Sequence, residues 1–117
     1  MEEIVKVVPE VVSLDIETTG LTPGKDRIIE VALIKLVDKI PQNKFTSLIN
    51  PEINIPPSGF PVNKIKPYMF KNAPYFNEVA VDIFNFIKGE TLLIQNADFD
   101  IPFLKEEFKK CNMSFPE

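Results

Sequence analysis

The sequence predicts an α/β domain whose sheet mixes antiparallel and parallel pairing. Three observations carry this reading. Before residue 50, β-branched apolar segments follow one another through short turns, the pattern of an antiparallel meander. A helical stretch and then a short apolar strand come after it, and a strand reached through a helix implies at least one parallel pairing. The chain has 117 residues, 44% of them hydrophobic, enough for one core with little room for a second. Residues 1–117 are therefore read as a single domain.

Residues 1–10 form a lead-in, and Pro9 limits how far any strand extends upstream. The first strand runs from about Val11 to Glu17. Positions i and i+2 of a strand share a face, so Asp15 and Glu17 project together while Val12, Leu14 and Ile16 take the other side. Two adjacent carboxylates repel and raise each other's pKa unless a cation neutralises them. Mg²⁺ or Mn²⁺, hard ions that prefer oxygen ligands, suit that task. Thr18-Thr19-Gly20 then ends the strand in a turn whose N–H groups are placed to meet a phosphate or sugar. Taken alone, Asp-x-Glu at a strand end more often marks a solvated face.

Leu21 to Asp26 is a turn by composition. Arg27 to Val37 reads as the second strand, Pro41-Gln42-Asn43 as the next turn, and Lys44 to Asn50 as the third strand. From Pro51 to Pro61 the prolines and Gly59 prevent any regular element. Lys64 to Phe76 reads as a helical turn and a linker. Asn77 to Lys88 is an amphipathic helix, with Val79, Ile83, Phe86 and Ile87 at helical spacing and Gly89 where a helix end favours glycine. Thr91 to Gln95 is a short strand. A last helix over 99–112 places Leu104, Phe108 and Cys111 on one face, with Pro102 suited to its first turn. Asp100 sits where the strand turns into this helix. By itself it reads as an N-cap.

Charge and cysteine usage narrow the function classes. A net charge of −4 and a pI near 4.9 disfavour a broad basic surface that grips nucleic acid. They leave room for a small acidic site where a metal ion supplies the positive charge. The single cysteine, Cys111, forms no internal disulfide and fits a reducing cytoplasm. No apolar run is long enough to cross a bilayer.

The string Leu14-Asp15-Ile16-Glu17-Thr18-Thr19-Gly20-Leu21 resembles the first motif of the DEDD-type 3′–5′ exonucleases. This DnaQ-like group includes the proofreading subunit of bacterial DNA polymerase III. Gln95-Asn96-Ala97-Asp98-Phe99-Asp100-Ile101-Pro102-Phe103-Leu104 is similar to the second motif, His-Asn-Ala-x-Phe-Asp-x-x-Phe-Leu, with Gln95 in the histidine position. Between them, Ile65, Met69, Ala73, Pro74 and Phe76 match a segment that borders the family's nucleotide pocket. Lys64 and Lys66 depart from it.

The resemblance implies a ribonuclease-H-like fold, C-terminally incomplete, in which three antiparallel strands are extended by parallel ones. It implies hydrolysis from 3′ ends by two divalent ions, Mg²⁺ or Mn²⁺, at Asp15, Glu17 and Asp100. Asp98 is expected to face solvent. Substrate contacts are implied for Thr18, Thr19, Gly20, Leu21, Ile65, Met69, Asn96 and Phe99. The family's third motif, a histidine base followed by a last aspartate, has no counterpart, and the sequence contains no histidine. With a ligand missing, the ions are expected to bind weakly. The expected partners are the single-stranded 3′ end of DNA or RNA and either a DNA polymerase or a second copy covering an apolar face. Three readings stand: part of a longer exonuclease, an enzyme completed by a neighbouring subunit, or a non-catalytic remnant that binds nucleotide ends or a partner.

Overall fold

The computed structural model describes residues 10–53 and 67–116. Four strands and three helices follow in the order β1 (Glu10–Thr18), β2 (Ile28–Val37), β3 (Ile40–Leu48), α1 (Pro67–Phe70), α2 (Phe76–Ile87), β4 (Thr91–Ile94) and α3 (Ala97–Lys110). One sheet holds all four strands in the order β3-β2-β1-β4. β1 pairs antiparallel with β2 and parallel with β4, so the strand bearing Asp15 and Glu17 is internal. The expected mixed sheet is present, with its parallel pair reached through α2.

Alternation along β1 divides the two faces. Val12, Leu14 and Ile16 are buried with Val31 and Leu33 of β2. They pack under α2, through Phe76, Val79, Ala80, Ile83 and Ile87, and under α3, through Phe103, Leu104 and Phe108. Cys111 is half-buried against the same cluster, as the helical spacing predicts. Asp15 and Glu17 point to the opposite face. A bulge interrupts the β1–β2 ladder after Glu17, where Thr18 pairs with Ile28 and Ile29 is the extra residue. The bulge lets consecutive isoleucines bury in different places. Ile28 joins the main core, and Ile29 packs with Phe70, Leu48 and Ala73.

The third strand departs from expectation. The turn lies at Asp38-Lys39, and the strand already begins at Ile40 and ends at Leu48. Pro41 is tolerated because β3 is an edge strand, and a second register shift accommodates Gln42. Asp38 and Lys39 have φ of 52° and 70°, the conformation of a type I′ hairpin turn, in which glycine is favoured. A non-glycine residue held there costs roughly 1–2 kcal/mol. Lys39→Gly should therefore raise stability by about 1 kcal/mol, read as a higher urea midpoint with an unchanged slope. An unchanged or lower midpoint would contradict this turn geometry.

Helix α3 also starts earlier than expected. Asn96 occupies the N-cap position, and its carbonyl accepts the N–H groups of Phe99 and Asp100. Asp100 is thus inside the first turn and is not the cap. Pro102 lies beyond that turn, within the helix. The expected substrate contact Ile65, with Lys64 and Lys66, lies outside the described residues.

Candidate active site

Three elements bring the two acidic motifs together. β1 presents Asp15 and Glu17 near its end, and α3 begins just past β4, the parallel neighbour of β1. Asp100, 6% exposed, accepts a hydrogen bond from the Ile16 N–H and feels the charges of Asp15 and Glu17. Burial first, and then the Asp15 charge, raise its carboxyl from 3.8 to about 6, against the lowering effect of the Ile16 bond. Burial, followed by Asp15 and Glu30, raises Glu17 as well. Asp98, two residues earlier and so on the other side of α3, is exposed.

Glu30 is an acid the sequence reading missed. It is the direct cross-strand partner of Glu17, and burial followed by the Asp15 charge raises its pKa. The signal was a lone carboxylate within the apolar run Ile28-Ile29-Glu30-Val31. Its meaning depended on register, which composition does not reveal.

The turn after β1 is built from its own side chains. The Thr18 hydroxyl donates to the Gly20 carbonyl at 2.6 Å. Thr19 exchanges two bonds with Arg27: its N–H donates to the Arg27 carbonyl at 2.9 Å, and its Oγ1 accepts the Arg27 N–H at 3.0 Å. The Asp26 carboxylate accepts the Thr19 hydroxyl and the Thr22 N–H. Gly20 sits directly over that carboxylate, and a Cβ there would come within 2.5–2.6 Å of its atoms. A side chain at this position would push the Asp26 carboxylate off its bonds to Thr19 and Thr22. Leu21, at the tip, is 80% exposed.

The other expected contacts lie on α1 and at the start of α3. Met69 is 43% exposed on α1. Its segment is strapped to the end of β3, where the Asn50 N–H donates to the Pro74 carbonyl and its side-chain amide to the Lys71 carbonyl. Asn96 is exposed at the start of α3. Phe99 is half-buried and tilts against Phe103, with ring centroids 4.9 Å apart.

Among the described residues, no three Asp, Glu, His or Cys side chains stand close enough to form a ready-made metal cage. The donor chemistry nonetheless fits a hard divalent ion. Glu17 and Asp100, held toward their protonated forms by burial and neighbouring charge, are carboxylates that a dication would stabilise as anions. Asp15, Glu17 and Asp100 are the residues that would hold it. A pH dependence follows. Because the folded-state pKa of Asp100 lies above its unfolded value, its contribution to stability is fully present below about pH 3.8. It is lost as pH rises through about 6. Between those values the urea midpoint should show a falling component that Asp100→Asn removes. An identical pH profile in Asp100→Asn would sink this assignment.

Comparison with known proteins agrees with the geometry. The family model described as exonuclease matches residues 12–117. Over 99 residues the chain is 40% identical to DNA polymerase III subunit epsilon of Treponema pallidum, covering 85% of this chain and 46% of that protein. It is 36% identical over 102 residues to the 3′–5′ exonuclease DinG of Staphylococcus epidermidis, covering 87% of this chain and 11% of that protein. The chain thus spans about half the length of the epsilon subunit and a small part of DinG. Solved structures of exonuclease I share the fold: one in its apo form superposes with a TM-score of 0.79 at 18% identity, over 90% of this chain and 25% of that one. Another, at the same TM-score, identity and coverage of this chain, is the Escherichia coli enzyme in complex with a dT13 oligonucleotide. Sheet topology, the paired acidic motifs and these likenesses agree: the chain belongs to the exonuclease family.

Proposed function

We propose that this chain carries the metal-binding acids of a 3′–5′ exonuclease acting on single-stranded 3′ ends, DNA in the first instance. The observation that carries this reading is the seating of Asp100 on α3 against β1, where its buried carboxylate accepts the N–H of Ile16, the residue between Asp15 and Glu17. It is supported by the oligonucleotide complex of exonuclease I and by the epsilon and DinG relatives. Asp15, Glu17 and Asp100 would hold two divalent ions, Mg²⁺ or Mn²⁺, with Glu30 paired across the strands to Glu17. Bound ions of this kind neutralise a scissile phosphate and lower the pKa of an attacking water.

The remaining roles belong to the chain's own groups. The Thr18-Thr19-Gly20 turn shapes the rim beside the acids, and Leu21 offers an exposed apolar side chain to a terminal base. Met69, Asn96 and Phe99 line the approach. A DNA polymerase, or a second copy of the chain, is the protein partner in this reading. β4 is an edge strand with Leu93 58% exposed, and such an edge offers unpaired backbone groups. No helix among the described residues is long and apolar enough to cross a membrane, and the reading places the protein in the cytoplasm as one domain.

The direct test is Mn²⁺ titration of the chain followed by electron paramagnetic resonance. Asp15→Ala should bind Mn²⁺ more weakly than the unmutated chain. Equal titration curves would remove the metal site.

A further inference from the structure

Among the described residues, one charged pair lies outside the acidic site and is more buried than any other. Arg27 Nε donates to Glu107 Oε2 and its terminal amine nitrogen to Oε1, each at 2.8 Å. The Ile28 N–H adds a third bond to Glu107 at 3.1 Å. The remaining guanidinium nitrogen donates to the Pro51 carbonyl at 3.2 Å. Glu107 is 2% exposed. A buried pair of this kind contributes little net stability, because the loss of hydration offsets the attraction, but its forked geometry is stringent.

Its position gives that stringency a use. Glu107 lies on α3 seven residues after Asp100, two turns along and on the same side of the helix. Arg27 is bonded through its own backbone to Thr19, two residues after Glu17. The pair therefore joins the helix of one acidic motif to the turn of the other. Asp15, Glu17 and Asp100 carry like charges when ionised, and a joint between α3 and the turn after β1 works against their mutual repulsion.

We propose that Arg27 and Glu107 are positioning residues, a latch that holds α3 in register with β1 so that Asp100 stays beside Asp15 and Glu17. The pair touches neither metal nor substrate and acts through Thr19 and α3. This inference rests on the proposed metal site. Residues that orient metal ligands from outside typically change metal affinity by 10–100-fold when altered.

The test uses the 117-residue chain with Glu107→Gln, Arg27→Lys and the double replacement Arg27→Met/Glu107→Leu. Mn²⁺ binding is measured where circular dichroism shows each variant folded, alongside thermal midpoints and amide hydrogen exchange without metal. Glu107→Gln and Arg27→Lys should bind Mn²⁺ about 10-fold more weakly. The Thr19 and Asp100 amides should exchange faster, while that of Ile83 on α2 does not. The apolar double variant should recover thermal stability without recovering Mn²⁺ affinity, a split that a merely structural pair would not produce. Recovery of both together would overturn the proposal, as would exchange at Thr19 and Asp100 no faster than in the unmutated chain. If no variant folds, the pair sustains the fold rather than the site, and the proposal falls. Failure of the metal site itself would appear separately, as Asp15→Ala binding Mn²⁺ like the unmutated chain; the exchange measurement then still decides the latch.

Discussion

Residues 1–117 alone should release little or no mononucleotide from a labelled 3′ end, with either Mg²⁺ or Mn²⁺. A positioned general base accounts for about 10²–10⁴-fold in rate, and these residues contain no histidine. Gln95 cannot take up a proton, and tyrosine is a poor base near neutral pH. Supplying a helix with a histidine and an aspartate, in a longer chain or from a second one, should restore digestion by that factor. Asp15→Ala should then abolish what was gained. The assay is digestion of a 3′-labelled single-stranded oligonucleotide. Sustained degradation by residues 1–117, lost in Asp15→Ala, would show that a base is present among them and overturn this prediction.

The second large effect concerns stability. Phe108→Ala should cost about 3–5 kcal/mol, the range for emptying a fully buried aromatic site. Phe108 is wholly buried and packs edge-on against Phe76 at 5.4 Å, Phe84 at 6.3 Å and Phe115 at 6.0 Å between ring centroids. It thereby fastens the end of α3 to α2 and to the segment that follows α3. Against a typical domain stability of about 5–15 kcal/mol, such a loss removes a large share. Because Asp100 and Glu107 ride on the same helix, the Mn²⁺ response should weaken as the helix loosens. Urea denaturation measures the first effect. A shift below about 1 kcal/mol would mean that the aromatic cluster does not anchor α3.

Much of the fold and part of the site were legible in the residues, and the division has a physical cause. Periodicity is local. The two-residue repeat of Val12, Leu14 and Ile16 against Asp15 and Glu17 separated the faces of β1, and the helical repeat of Val79, Ile83 and Ile87 identified the buried side of α2. Gly89, at φ 75°, marked the end of that helix as expected. Boundaries were less legible where the surroundings override preference. Pro41 looked like a turn, yet an edge strand lacks a neighbour that would need its missing N–H. Asp100 looked like a cap, yet Asn96 takes that position and frees the carboxylate to meet Ile16.

What the sequence determined by itself is the pair of acids on one strand face, the mixed α/β order of elements and the family resemblance of both motifs. Only the tertiary structure decided what stands around those acids. Glu30 became a neighbour of Glu17 through strand register and a bulge one residue away. Asp26 came to lie beneath Gly20, and Glu107 reached Arg27 across the fold. Each depends on how the chain turns back on itself and how its elements pair and pack, and the repeats within one element carry no record of that pairing.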